Sequence, residues 1–238
     1  MTTFSVIIAL APGRNAEVLD SLKEAHYDKK EIQIVIKKGL NPSKNRNLGV
    51  REAKGEILAF IDDDAIVDKD LFKNAEAFFS MHKEIDLVGG PQLTPENDGF
   101  FAKTSGLILE NYFGTSSMSC RYKRCDENLN AHETFITSAN CFIRRKSFLK
   151  TSGFNPGLYP GEDPELYARA KKSGFKLAYV PELVVFHKRR PSYGLFMKQF
   201  FRYGLVRLKK ERINRTPLLD INPVFFIPNA LAFTVIEQ

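Results

Sequence analysis

Apolar runs of strand length alternate with stretches of helical spacing along the first 90 residues, and this alternation restricts the fold more than any other feature. The runs lie in FSVIIAL (4–10), EIQIVIKKG (31–39), EILAFIDDD (56–64) and IDLVGGP (85–91). Between the first two, NAEVLDSLKEAHY (15–27) sets Val18, Leu19, Leu22 and Ala25 at helical spacing, with Asn15 as the expected cap. SKNRNLGVREAKG (43–55) reads as a second helix, capped by Ser43 and stopped by Gly55. KDLFKNAEAFFSMH (69–82) reads as a third. In the second run Ile32, Ile34 and Ile36 share one face. Strands and helices joined by short connections predict an α/β fold, a mostly parallel sheet flanked by helices. Ligands of such sheets collect at the carboxyl ends of the strands.

The run ILAFI ends in Asp62, Asp63 and Asp64. Three like charges in a row repel, and here they stand where a ligand crevice is expected. A hard divalent ion such as Mg²⁺ or Mn²⁺ takes oxygen ligands and also binds a diphosphate. In a strand-like run Asp62 and Asp64 share a side and Asp63 turns away, so the first and third form a D-x-D pair. Asp also favours turns, so the three letters alone do not choose between a turn and a site.

Composition narrows the classes. A chain of 238 residues can bury a substantial core, and 43% hydrophobic with 26% charged residues is a globular balance. MTTFSVIIAL has no basic stretch before its apolar run, so it reads as a first strand and not as a signal peptide. Three cysteines, Cys120, Cys125 and Cys141, are an odd and sparse set that argues against a disulfide framework and suits a reducing compartment. Cys120, Cys125 and His132 lack the second cysteine pair that a typical zinc site has. Residues 188–215 hold ten Lys/Arg and one acid, Glu211, within a chain of net charge +7. So local a basic stripe suits a phosphate-rich ligand or an anionic membrane and not a nucleic acid. The tail PVFFIPNALAFTVIEQ (223–238) is interrupted at Pro228 and Asn229. It is shorter than the ~20 apolar residues of a spanning helix, but beside the basic stripe it has the pattern of an interfacial anchor.

The second half supplies another acidic pair. SANCFIRRKSF (138–148) gives a polar turn and a strand, and a Gly/Pro-rich loop then runs to Gly161, Glu162 and Asp163. PELYARAKKSG (164–174) follows as a helix, with Pro164 at its first position and Gly174 as its stop. Acids at a helix start are favoured by the helix dipole. A carboxylate between a flexible loop and a rigid helix can also be aimed into a cleft as a general base.

In this order the pieces resemble the family 2 glycosyltransferases of GT-A fold, over roughly residues 4 to 204. FSVIIAL is similar to the family's opening strand, and NRNLGVREAKGEILAFIDDDAIVDKDLF to the stretch carrying its D-x-D motif. SANCFIRRKSF, GFNPGLYPGEDPELYAR and VVFHKRR resemble the acceptor-side strand, the Glu-Asp region and the late strand with its histidine. QFFRYG (199–204) resembles the Q-x-x-R-W motif, with Tyr203 in place of Trp. The resemblance implies that Asp62 and Asp64 hold the metal and the donor diphosphate, with His187 near either. It implies Asp163 as the base on the acceptor hydroxyl, and Glu162 beside it orienting the acceptor. Arg46 is expected at the nucleoside. Asp63, Arg14, Arg189, Arg190, Gln199 and Arg202 are expected on the donor side, the arginines neutralising phosphate. Gln199 and Arg202, three apart on a helix, can face one cleft. The chain departs from the family after the second strand, where Lys37 and Lys38 replace the usual acids. A lysine cannot accept a hydrogen bond from a base N–H, so the resemblance does not extend to the identity of the nucleoside.

These expectations amount to a GT-A domain over residues 1–204 and a basic, partly apolar extension over 205–238. The activity they imply is an inverting, Mg²⁺- or Mn²⁺-dependent transfer of a sugar from a nucleotide-diphosphate sugar to a glycan or lipid-linked hydroxyl. The place is the cytoplasmic face of a membrane, in cell-surface polysaccharide or lipid-linked glycan synthesis. The alternatives are an inactive sugar-nucleotide or anionic-polymer binding module, and a nucleotidyltransferase. The last needs a Gly-rich signature near the N-terminus, where APGRN (11–15) offers only Gly13.

Overall fold

The computed structural model describes residues 2–202. Tyr203, Gly204 and the extension 205–238, including the basic residues from Arg207 to Arg215 and the apolar tail, lie outside the described residues. Six strands form the main sheet in the order β2-β1-β3-β7-β5-β8. They are β1 (Phe4–Leu10), β2 (Ile32–Lys38), β3 (Ile57–Ile61), β5 (Leu87–Gly89), β7 (Asn140–Arg144) and β8 (Leu177–Tyr179). Pairs β1–β2, β1–β3 and β5–β8 are parallel, and β7 runs antiparallel to β3 and β5, so the sheet is mostly parallel as the alternation predicts. A second sheet orders β4 (Ala65–Val67), β9 (Val185–His187) and β6 (Gln92–Leu93).

Helices cover both faces. On one, α1 (Val18–Glu24) and α3 (Leu71–Met81) bury Val18, Leu22, Phe72, Ala75 and Phe79 against Phe4, Val6, Ile8 and Ala59 of β1 and β3. Phe4 meets Phe72 edge-on, with 5.3 Å between ring centroids. On the other face, α2 (Pro42–Glu52) and α7 (Glu162–Lys172) bury Val50, Leu166 and Tyr167 against Ile7, Leu58, Phe60 and Cys141. Each large apolar side chain so enclosed contributes roughly 1.5–3 kcal/mol. The other described helices are α4 (Phe100–Glu110), α5 (Tyr112–Thr115) and α6 (Arg145–Phe148), and residues 193–202 are helical as well.

Several local expectations are corrected. The cap of α1 is Glu17 and not Asn15, and it makes no side-chain bond. Asn41, not Ser43, caps α2: its side chain accepts from Lys44 N, with Pro42 at the helix start. That helix ends at Glu52, before Gly55. Gly55 is needed for another reason, since a Cβ there would lie 2.5 Å from the Phe4 carbonyl carbon. Helix α7 starts at Glu162, so Pro164 is its third residue, while Gly174 follows the helix end at φ 86° as a stop. The isoleucine face of edge strand β2 is only partly covered, leaving Ile34 43% exposed, while Val35 on the opposite face is buried. The cysteine reading is corrected too. Cys120 and Cys125 are joined in a disulfide, because a 3₁₀ turn brings their Cα atoms to 5.6 Å, and only Cys141 is free. Bonded to each other, these sulfurs hold no zinc, and His132 instead accepts from Thr134 N as a turn cap.

Candidate active site

The three aspartates sit in the turn between β3 and β4, at the carboxyl end of a fully buried strand. The register of β4 on β9 sets Ala65 opposite His187, which delivers the imidazole to the turn. His187 Nε2 lies 3.1 Å from Asp64 Oδ1 and 3.7 Å from Asp62 Oδ2. Its other nitrogen, Nδ1, is 3.1 Å from the carbonyl of Lys188, an arrangement that fixes the ring and leaves Nε2 facing the carboxylates. Asp62, Asp64 and His187 offer three ligand atoms within 4.8 Å of one another, and this is the group among the described residues able to hold a metal ion. Two carboxylate oxygens and an oriented imidazole fit Mn²⁺ or Mg²⁺ with positions left for phosphate oxygens.

Without a cation the carboxylates take their counter-charge from His187 and two arginines. Burial alone would lower the imidazole, but hydrogen bonds and charges from Asp62 and Asp64 raise it to about 9. Burial likewise works against ionised Asp64, yet His187 and Arg14 hold it well below the usual carboxylate range. Asp62 is depressed in the same way by His187 and Arg46. Arg14 leaves the β1 loop at Gly13, whose φ of 80° suits glycine, and donates from Nη2 to Asp64 Oδ2 at 2.6 Å. Asp63 turns into the protein. Its Oδ2 is 3.1 Å from Arg14 Nε without an aligned hydrogen bond, and burial pushes the carboxyl up to about 6.

The acids Glu162 and Asp163 come from the start of α7. Gly161, at φ 118°, reverses the chain so that the helix opens directly on Glu162 and Asp163. Glu162 is buried, its Oε1 accepts from Arg46 Nη1 at 2.7 Å, and burial beside Asp163 raises its pKa. Arg46 Nη2 donates to Asp62 Oδ1 at 2.9 Å, and the guanidinium lies 5.5 Å from the Phe154 ring centroid. Asp163 is half-buried, and the Ser138 N–H donates to its Oδ2 at 3.2 Å.

The structure therefore brings together Arg14, Arg46, Asp62, Asp63, Asp64, His187, Glu162 and Asp163. Burial raises the Tyr159 phenol, as do the charges of Glu162 and Asp62, while Arg202 and Arg46 lower it. Arg190 donates from Nε to Gln199 Oε1 at 3.1 Å. Arg189 is drawn away, buried with Nε on Thr94 Oγ1 at 3.1 Å, Nη2 on the Gln92 carbonyl and the guanidinium over Tyr122. Tyr159, Ser138 and Phe154 are neighbours of the site that sequence reasoning did not single out. Tyr159 stood in the quoted GFNPGLYPGED, and its place two residues before Gly161 was the available signal.

Comparison with known proteins bears on the family and the fold. A family model described as glycosyltransferase like family 2 matches residues 3–204. The chain is 29% identical over 192 residues to the O-antigen chain rhamnosyltransferase RfbN of Salmonella typhimurium, covering 79% of this chain and 60% of that protein. It is 25% identical over 173 residues to the glycosyltransferase AglE of Haloferax volcanii, covering 73% of this chain and 52% of that protein. The chain thus spans little more than half the length of these relatives. Among solved structures, the mannosyltransferase PcManGT of Pyrobaculum calidifontis, in complex with GDP-Man and Mn²⁺, superposes with a TM-score of 0.62 at 14% identity, covering 97% of this chain and 70% of that one. TarS 1-349 of S. aureus in complex with UDP-GlcNAc superposes with a TM-score of 0.61 at 18% identity, covering 87% of this chain and 66% of that one.

Proposed function

Because the chain belongs to the family 2 glycosyltransferases, we propose that it transfers a sugar from a nucleotide-diphosphate donor to a hydroxyl of a glycan or lipid-linked acceptor, with inversion. The observation that carries this reading is the convergence of Asp62, Asp64 and His187 beside the Arg46–Glu162 pair, with Asp163 on the same helix start. Asp62, Asp64 and His187 are the residues to hold Mg²⁺ or Mn²⁺. When bound, the ion supplies positive charge to the leaving diphosphate. Arg14 adds charge from the β1 loop, and Arg202 adds it from the 193–202 helix. Asp163 accepts the proton of the acceptor hydroxyl as its oxygen bonds to the anomeric carbon. The bond from that carbon to the diphosphate oxygen breaks, and its electron pair leaves with the nucleoside diphosphate. One displacement inverts the anomeric centre. Glu162, held by Arg46, fixes the helix start that carries the base.

In this reading residues 1–204 carry the chemistry, and residues 205–238 bring it to the inner face of a membrane in cell-surface or lipid-linked glycan synthesis. No described helix is long and apolar enough to cross a membrane. A screen of nucleotide sugars for nucleoside diphosphate release, with and without Mn²⁺, tests the assignment. Metal-stimulated release from one donor class that increases with a hydroxyl acceptor is expected. Binding without release under every condition would instead favour the inactive sugar-nucleotide module.

A further inference from the structure

The surface beside this cleft has its own composition. Residues 100–113 and 193–201 are a small share of the chain, yet they hold nine of the eighteen large apolar side chains left exposed among the described residues. Helix α4 is amphipathic in an unusual sense. Its inner side buries Ala102, Ser105, Gly106 and Leu109, and its outer side presents Phe100, Leu107 and Ile108. A Cβ at Gly106 would lie 2.3 Å from Thr94 Oγ1, so this side of the helix is closely seated and its orientation fixed. The 193–202 helix lies alongside. Phe200 shares an apolar cluster with Leu109, and Phe196 meets Phe101 at 6.3 Å between ring centroids. The outer side of this second helix adds Leu195 and Phe201, and α5 adds Phe113, which is 79% exposed.

Charge says what kind of partner covers this face. Helices α4, α5 and 193–202 carry three Lys/Arg, the exposed Lys103, Lys198 and Arg202, and one acid, the partly buried Glu110. Aromatic and aliphatic side chains set among cations, on helices lying at the surface, match an interface with anionic headgroups.

We propose that the face formed by α4, α5 and the 193–202 helix docks the catalytic domain itself onto an anionic lipid surface. Phe100, Leu107, Phe113 and Leu195 enter the headgroup region, and Lys103 and Lys198 lie on acidic headgroups. This contact is separate from any made by residues 205–238. Its measurement involves no sugar transfer, so it stands or falls apart from the proposed activity.

The chain contains no tryptophan, which permits single reporters in the full-length protein. Phe100→Trp, Leu107→Trp and Phe113→Trp place one on the face, and Met81→Trp places a control at the exposed end of α3. With phosphatidylglycerol-containing vesicles, the three face reporters should shift to the blue and be quenched by lipids brominated in the acyl chain, while the control does neither. Salt should weaken the shift without removing it. Leu107→Ser with Phe113→Ser should reduce vesicle partitioning roughly tenfold or more, since each removes a large apolar side chain from the contact. Three outcomes overturn the proposal. Reporters that stay wet while the protein co-sediments would assign binding to residues 203–238 alone. Blue emission in dilute, vesicle-free protein would mean that those residues cover the face. A shift that depends on protein concentration would make a second copy the occupant.

Discussion

Arg46 donates from Nη1 to Glu162 at 2.7 Å and from Nη2 to Asp62 at 2.9 Å, so one buried guanidinium ties the aspartate turn to the helix that carries Asp163. The Arg46–Glu162 contact spans 116 positions of sequence and registers the two halves of the site. Removing the arginine leaves Glu162 buried and unpaired, which costs about 3–5 kcal/mol for a broken buried pair. Arg46→Met should therefore lower the unfolding free energy by that amount in denaturant titrations. Adding Glu162→Gln should restore much of it, because the uncompensated charge is gone. If Arg46→Met alone proved as stable as the parent, the pair would not be holding the halves together.

A second prediction concerns thiols. Cys141 is fully buried on β7, and burial pushes its thiol up to about 12. It should be unreactive towards a thiol reagent in the native protein at pH 8. The sign follows from burial: the anion is disfavoured in the folded state, so reactivity appears only on unfolding or at much higher pH. Unfolding without reductant should release one thiol per chain, and unfolding after reduction three, given the Cys120–Cys125 bond. Three thiols without reductant would remove the disulfide.

The alternation of apolar runs was enough to read the sheet, its mostly parallel sense and the placement of Asp62 and Asp64. These follow from local periodicity and from the rule that ligands gather at strand ends. What the sequence left hidden depends on tertiary contact. Nothing in VVFHKRR says that β9 pairs with β4 in the register that sets His187 against the aspartates. Arg189 and Arg190 look equivalent in the string, yet the first is buried against β6 and Tyr122 and the second meets Gln199. Gly55 looked like a helix stop, but close approach of β1 requires it. Gly55→Ala should consequently cost about 1–3 kcal/mol, the usual range for overpacking, read as a lowered denaturation midpoint.

The base is tested by Asp163→Asn. The substitution keeps the shape and the Ser138 N–H contact but cannot take a proton. Transfer should fall by about 10²–10⁴-fold, the range for loss of a general base. Donor affinity should barely change, because the proton comes from the acceptor. Donor hydrolysis to water and binding of nucleoside diphosphate, measured side by side, separate the two effects. A large loss of donor affinity with near-normal transfer would move Asp163 to the donor side.

The metal is tested by Asp64→Ala. Asp64 is held by His187 at 3.1 Å and Arg14 at 2.6 Å, and it contributes one of the three ligand atoms. Its loss leaves Asp62 and His187, too few to fix an ion in competition with water. Thermal shift of the parent protein by Mn²⁺ with nucleoside diphosphate should be large, and the shift of Asp64→Ala should nearly vanish. The fold should survive, but the variant without metal should unfold somewhat more easily than the parent, since the bonds of Asp64 to His187 and Arg14 outweigh its repulsion by the neighbouring carboxylates. His187→Gln should reduce the Mn²⁺ shift in the same direction while keeping side-chain bulk. A Mn²⁺ shift and turnover at parental levels in Asp64→Ala would show that Asp62, Asp64 and His187 form a charge cluster and not a metal site.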